Sequence, residues 1–426
     1  MTDTQTTIGG PSTRRVLFAS LVGTAVEFYD FYVYATAAAL VLGGLFFPKA
    51  DPLAQQLSSF ATFALAFVAR PVGGWVFGHF GDRIGRKSTL VASLLLMGGS
   101  TMLIGFLPTF AQAGVWAPVL LCILRFGQGF GLGGEWGGAA LLAVENAPPG
   151  YKARFGMFPQ LGAPVGYLAA NGLYLLLLNF LLTPDQFRAW GWRLPFISSV
   201  VLVAVGLWVR LKLTETPAFA KAMQEAPPAH VPLAEVVKHY WLQVLAGIFT
   251  VVAVFAIYYV ITAFALSYGT TTLHYAYASF LEAQLGAIGF MALGIAASAM
   301  LSDRLNQRHV LMASCVLGVG MSFLLAPMMG SGSLVTIWLF LSIAMFVMGF
   351  CYGPLGAFLP SLFPARVRYT GASMAFNLGG IVGGGLTPFI ALSLAAKGGL
   401  HQVGLYLGGA CLISFLAILP LKPHED

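Results

Sequence analysis

The chain has 426 residues, of which 58% are hydrophobic and only 9% charged, with a mean hydropathy of +0.82 and a formal net charge of +7. Soluble domains carry roughly 25% charged residues, so the composition excludes a globular enzyme, with or without a single anchor. In so apolar a chain the positive balance points to basic cytoplasmic loops, and no nucleic-acid partner is implied.

A spanning helix needs about 20 apolar residues. Twelve such segments are predicted, near 16–46, 54–78, 88–107, 117–143, 154–182, 190–211, 241–268, 277–300, 309–329, 333–359, 369–396 and 401–421. The fold class expected is an all-α membrane protein. Several segments exceed 25 residues, which predicts tilt or breaks at Gly and Pro. Residues 1–15 are polar and end in Arg14-Arg15, and the run behind them is far longer than the apolar core of a cleavable signal. With both termini cytoplasmic, sixteen of the 22 Lys and Arg residues fall on the inner side and four (Lys49, Arg188, Arg193, Lys397) on the outer. That asymmetry is the one the positive-inside rule expects.

The first span contains Glu27 and Asp30, three residues apart on one face, with Tyr34 extending the stripe. An ionised Asp at mid-membrane costs roughly 2.5–3.5 kcal/mol on translocon scales. Such a group usually faces a cavity or a partner, and burial favours its protonated form, which suits a proton carrier. A structural carboxylate bonded to a neighbouring helix is the plainer reading. The second span carries Arg70 before Pro71, where a kink is expected. Arg70 either binds an anion or extends its charge toward the interface.

The loop "GHFGDRIGRKSTL" (78–90) follows, with glycines for tight turns, an acid in Asp82 and bases in Arg83, Arg86 and Lys87. Topology alone needs only the bases, so the pattern reads as a latch of ion pairs at a cytoplasmic gate. Glu145, Arg154 and Glu215 lie at cytoplasmic helix ends and can join it.

The fourth span, "LRFGQGFGLGGEWGGAALLAVEN", places Arg125, Gln128, Leu132 and Trp136 on one stripe, and its glycines allow a close helix approach. Arg125 is the expected partner of Asp30: protonation of the acid would free the guanidinium for an anion and couple proton to substrate. Glu135 either relays the proton or bonds to nearby backbone. Further along, Gln160 and Asn171 in the fifth span, Tyr258 and Tyr259 in the seventh, Glu282 and Gln284 in the eighth, Tyr352 in the tenth and Asn377 in the eleventh are candidates for a cavity lining or for helix packing.

The longest polar stretch, 212–240, separates two six-helix halves. The expected layout is a cytoplasmic N-terminus at 1–15, a bundle at 16–211, a cytoplasmic linker at 212–240, a second bundle at 241–421 and a cytoplasmic tail at 422–426. The halves repeat: Asp82, Arg83 and Leu90 match Asp303, Arg304 and Leu311 of "AMLSDRLNQRHVL" at one offset, while Gly85 and Arg86 become Asn306 and Gln307. Parallel repeats of this kind are a transporter architecture. The four cysteines form no CxxC pair, which argues against disulfides and metal sites.

These stretches resemble a known family. "GHFGDRIGRK" is similar to the signature loop of the major facilitator superfamily, "RFGQGFGLGGEWGGA" to its fourth-helix motif and "LTETPAF" to its inter-half motif. "VEFYDFYVYATAAAL", "VARPVGGWVFGHFGDRIGRK", "WGWRLPF" and "PSLFPARVRYTGASMAFNLGGIVGGG" resemble the metabolite:proton symporters, which carry shikimate, 2-oxoglutarate, citrate or proline/betaine; "FPQLGAPVGY" and "LGGEWGGA" look nearest to the shikimate-like branch.

The resemblance implies proton-driven uptake by alternating access, with the helix-one acid at Asp30, the helix-four Arg at Arg125 and the loop pair at Asp82 and Arg86. It departs at Ser361, where the family has an acid, so a weaker latch is expected on the C-terminal side. The expected protein is a bacterial inner-membrane, monomeric symporter of a small carboxylate, without cofactor. Uptake of a zwitterion such as proline or betaine, caged by Glu27, Tyr29 and Trp136, is the alternative.

Overall fold

Inside a membrane every backbone N–H and C=O must find its partner within the protein, and a helix does this within one segment. The computed structural model describes residues 11–48, 51–84, 86–133, 135–212, 232–364 and 367–422, and leaves out some side chains within them, among them those of 78–84, 86–90, Glu135 and 209–212. The described residues are helices and connections without a strand. The main helices are α1 (Leu17–Phe46), α2 (Pro52–Phe77), α3 (Arg86–Ile104), α4 (Trp116–Glu145), α5 (Lys152–Leu181), α6 (Gly191–Trp208), α7 (Trp241–Thr271), α8 (Tyr277–Arg304), α9 (Gln307–Ser322), α10 (Leu334–Ser361) and α11 (Arg368–Ile418).

Nine helices among the described residues are long and apolar enough to cross a membrane, against twelve predicted segments. The difference has local causes. The apolar part of α3 is only Val91–Ile104. A turn after α9 interrupts the ninth segment before a short helix, Leu325–Met329. The last two segments run together in the 51-residue α11, whose helical path breaks at Gly399, a residue with φ of 72° that a side chain would strain.

Breaks in the other long helices fall only partly where expected: α4 is interrupted at Gly133 and α10 at Gly353-Pro354, but most of the π-helical turns lie away from Gly and Pro. π-helical turns occupy Ala38–Leu42, Leu177–Leu181 and Val260–Phe264, none of which contains Gly or Pro, and Ile381–Gly385, which has three glycines. Helix runs on through Pro71, Pro159 and Pro164. An extra residue in one turn bends a helix as effectively as proline does.

Within the first half of the chain α1 packs along α5 and α2 along α4; within the second, α7 packs along α11 and α8 along α10. Smaller contacts of α10 on α4 and α5, α11 on α4 and α7 on α1 cross between them, and the two largest crossing contacts are α5 on α8 and α2 on α11. A shift of six helices turns one crossing contact into the other. The α2–α4 approach is backbone to backbone: a Cβ on Gly129 would lie 2.0 Å from the Ala66 carbonyl oxygen, and one on Gly133 would lie 1.9 Å from that of Arg70. The glycines expected to thin the fourth span thus bring α2, and Arg70 with it, against α4.

Candidate functional site

Arg125 is wholly buried among the N-terminal helices. Its guanidinium lies 3.7 Å from the centre of the Tyr34 ring, with the Phe31 and Phe63 rings at 5.1 and 5.4 Å. One terminal nitrogen donates to the Phe63 carbonyl oxygen at 3.1 Å and the other to Gln128 Oε1. Gln128 Nε2 donates in turn to the Asp30 carbonyl oxygen at 2.9 Å and to Thr101 Oγ1 at 2.8 Å. Spacing predicted a partnership of Asp30 and Arg125; Gln128 bridges Arg125 to the Asp30 backbone carbonyl. Asp30 itself is fully buried. Tyr34, which extends the Glu27–Asp30 stripe, packs between Arg125, Phe63 and Phe196 inside the bundle.

A second group of candidates meets between the halves. Arg70 is 5% exposed, with its guanidinium over the rings of Phe31 at 4.4 Å and Phe67 at 4.7 Å. Phe67 meets Tyr259 of α7 at 5.6 Å, and Tyr259 meets Tyr258 at 5.2 Å. Tyr32 lies 5.4 Å from both Tyr258 and Tyr167. Beside these rings is a cavity of about 10 Å³, room for about one water, lined by Tyr32, Ala35, Thr36, Tyr167, Thr262 and Ala263.

The stripe predicted along α4 divides near Gly133. Arg125 and Gln128 turn into the bundle, whereas Trp136 faces the other half and stacks on Phe376 of α11 with ring centres 3.7 Å apart and planes 2° apart. Trp136 Nε1 donates to Gln160 Oε1 at 3.1 Å, and Gln160 Nε2 donates to the Tyr352 carbonyl oxygen at 3.1 Å. Asn377 donates across the halves to the Gly133 carbonyl oxygen at 2.8 Å. Gln160 and Asn377 therefore serve as inter-half hydrogen bonds in this conformation.

Both ends of the interface are latched. At the end where Leu17 packs with Phe155, Asp303 at the close of α8 accepts from the backbone N–H of Ala153 (2.9 Å) and Arg154 (3.2 Å), and its carboxylate meets Arg154 Nε at 3.2 Å. The carboxylate caps the first turn of α5, where orphan N–H groups and the helix dipole favour an anion. At the opposite end, Asn179 Nδ2 donates to Glu282 Oε1 at 2.7 Å. Further along the same pair of helices, Tyr167 donates to Gln284, which donates on to the Ile261 and Thr262 carbonyl oxygens of the α7 π-turn.

Arg304 and Glu145 are exposed at their helix ends. The Ser361 hydroxyl bonds its own helix at the Phe358 carbonyl oxygen. The side chains of Asp82, Arg83, Arg86 and Glu135, and the whole of Glu215, lie outside the described residues.

Sequence reasoning missed Tyr32, Phe67, Tyr167 and Phe376. The first and last adjoin residues it did single out, in "EFYDFYVY" and "FNLGG", but an aromatic in a membrane helix carries no mark of which way it faces.

The chain matches the family described as Major Facilitator Superfamily over residues 20–384. It is similar to an inner membrane metabolite transport protein, YhjE, of Escherichia coli (strain K12), with 47% identity over 96% of this chain and 94% of that one. It is also similar to the shikimate transporter of the same strain, at 38% identity over 97% and 95%, and to its proline/betaine transporter, at 32% over 96% and 83%. Among solved structures, the partially occluded inward open form of the xylose transporter XylE from E. coli aligns with a TM-score of 0.74 over 96% of this chain and 97% of that one, at 15% identity. That last likeness is one of fold.

Proposed function

The chain belongs to the major facilitator superfamily and is therefore a membrane transporter and not an enzyme, and from this premise we propose that it takes up a small organic acid together with a proton. It does so as a monomer in the bacterial inner membrane, with twelve spans and both termini in the cytoplasm. The spans are α1 to α10 and the two arms of α11 on either side of Gly399. Nine helices among the described residues, with α11 counted whole, meet the length and hydropathy of a span, and the excess of basic residues in alternate loops supports this orientation.

One observation carries the reading: two buried acids, Glu27 and Asp30, and two buried arginines, Arg70 and Arg125, occupy neighbouring helices of the N-terminal bundle. Ionisable groups inside membrane helices are costly and mark ion or substrate pathways. A carboxyl on α1 that gains a proton leaves a guanidinium with charge to spare, and an anionic substrate can meet it. The full-length likeness to a protein named a shikimate transporter supports a carboxylate as cargo.

The alternative, a zwitterionic solute, is favoured by the likeness to proline/betaine transporters and by the aromatic faces at the interface, which suit an ammonium group. Uptake of labelled shikimate into proteoliposomes, with and without an inward proton gradient, tests the reading. Accumulation should require the gradient, and excess glycine betaine should not compete. Equal uptake without the gradient removes the coupling, and competition by betaine alone moves the assignment to the alternative.

A further inference from the structure

The two buried arginines have different surroundings. Arg125 is enclosed by α1, α2 and α4, holding the Phe63 carbonyl, Gln128 and the Tyr34 face. Arg70 lies on the side of α2 that meets the other half: the Phe67 ring beneath its guanidinium touches Phe255 and Tyr259 of α7 at 6.2 and 5.6 Å. Its Nε is buried without a hydrogen-bond partner. Such a donor stays costly until something accepts from it. Glu27 precedes Phe31 by four residues and so shares the α1 face over which Arg70 lies. Charged and titratable groups acting on Arg70 include Glu27 and Tyr32 of α1, Tyr259 of α7 and Tyr352 of α10, with Arg125 behind it on α4 and Asp30 three residues from Glu27 on α1. Phenols in water ionise near pH 10, so Glu27 is a member of this set suited to exchange a proton in the physiological range.

We infer that Arg70 receives the carboxylate of the substrate, that Glu27 is the acid whose protonation releases Arg70 to it, and that Arg125 is a positioning residue. This rests on the organic-acid reading and narrows it. One guanidinium set among aromatic rings matches one carboxylate on a flat or ring-shaped body. A second carboxylate in the same place would be desolvated without a cation to meet it. The cycle balances: a proton from outside neutralises the Glu27 carboxylate, the substrate carboxylate takes its place against Arg70, and on the inner side the proton leaves Glu27 as the substrate leaves Arg70. One monoanion and one proton cross together.

The test compares purified wild type with Arg70→Lys, Arg125→Lys and Glu27→Gln, melted with benzoate, shikimate or succinate from about pH 5.5 to about pH 8. Benzoate or shikimate should stabilise wild type more than succinate does, and more at the lower pH. Arg70→Lys should melt like wild type without carboxylate yet bind benzoate or shikimate about tenfold more weakly, because Lys lacks the two-pronged donor. Arg125→Lys should lower the melting temperature even without carboxylate. Glu27→Gln should bind equally across the pH range and, in liposomes, fail to accumulate substrate in a proton gradient. Unchanged affinity in Arg70→Lys, or a wild-type pH profile in Glu27→Gln, overturns the inference while leaving the organic-acid reading standing. A wild type stabilised by none of the three carboxylates overturns both.

Discussion

Gln128 holds more of the N-terminal bundle together than its neutrality suggests. It accepts from Arg125 and donates to both the Asp30 carbonyl and Thr101. One amide therefore ties α1, α3 and α4 at a point with no solvent access. Leu at this position would keep the volume and strip every bond, leaving a guanidinium donor, a carbonyl and a hydroxyl each without this partner. A buried group so abandoned costs about 1–3 kcal/mol, and more when it is charged. Gln128→Leu should therefore destabilise by roughly 3 kcal/mol, read as a lower melting temperature in detergent. Gln128→Glu, which keeps the acceptor toward Arg125, should recover part of that loss. A Leu variant that melts with wild type would mean that Arg125 finds another acceptor and that Gln128 is a bystander.

Helix contacts decide where the site groups sit. The Gly133 Cα faces the Arg70 carbonyl so closely that an added Cβ would stand 1.9 Å from its oxygen. Gly133→Ala must push α2 away from α4 by the order of 1 Å, at a cost of about 1–3 kcal/mol. Because the displaced turn is the one carrying Arg70, the variant should lose carboxylate affinity as well as stability. Gly172→Ala, where a Cβ meets nothing within 4 Å, should change neither. Both are read by melting with and without benzoate.

The helical class and the burial of Glu27, Asp30, Arg70 and Arg125 were legible in the sequence because each rests on composition or spacing along one segment. The helix faces were not. The stripe from Arg125 to Trp136 looked continuous, but α4 turns near Gly133 and sends its two ends to different places. Tyr34 and Tyr32 are two residues apart, yet one packs inside the bundle and the other at the interface. Which neighbour covers which face is set by tertiary packing, and no periodicity in one helix encodes it. The π-turns were hidden for a similar reason: three of the four contain neither Gly nor Pro to announce them.

At the scale of the whole molecule, the two halves are latched among the described residues by outer contacts of unequal strength, and the inequality should set the order of opening. At one end the Asp303 carboxylate is 4% exposed and takes two backbone N–H groups of α5 as well as Arg154. Such a charge-assisted cap at a helix N-terminus is worth roughly 1–2 kcal/mol, even after discounting Arg154, which is 31% exposed. At the other end the outermost contact is one exposed hydrogen bond between Asn179 and Glu282, worth about 0.5–1 kcal/mol or less, with the buried Tyr167–Gln284 bond further in. The Asn179–Glu282 end should therefore part first in the empty carrier, and the Asp303 end only after cargo is bound.

Ser361 leaves that position without the acid the family resemblance implies, while Asp303 of the second loop caps α5. Asp303→Asn keeps the side-chain size and removes the charge, and should raise the population open at that end by about tenfold for a loss near 1.4 kcal/mol. A thiol placed at Met157, which packs beside Ala153, Ala299 and Ala357 at the latch, should then react with a membrane-impermeant maleimide about tenfold faster than in the Asp303 background. Glu282→Gln should leave that rate within about twofold, since it loosens only the far end. If the Met157 thiol reacts equally in all three backgrounds, the Asp303 cap does not hold the halves together, and the closing force must come from the Trp136–Phe376 stack and the Gln160 and Asn377 bonds deeper in the interface.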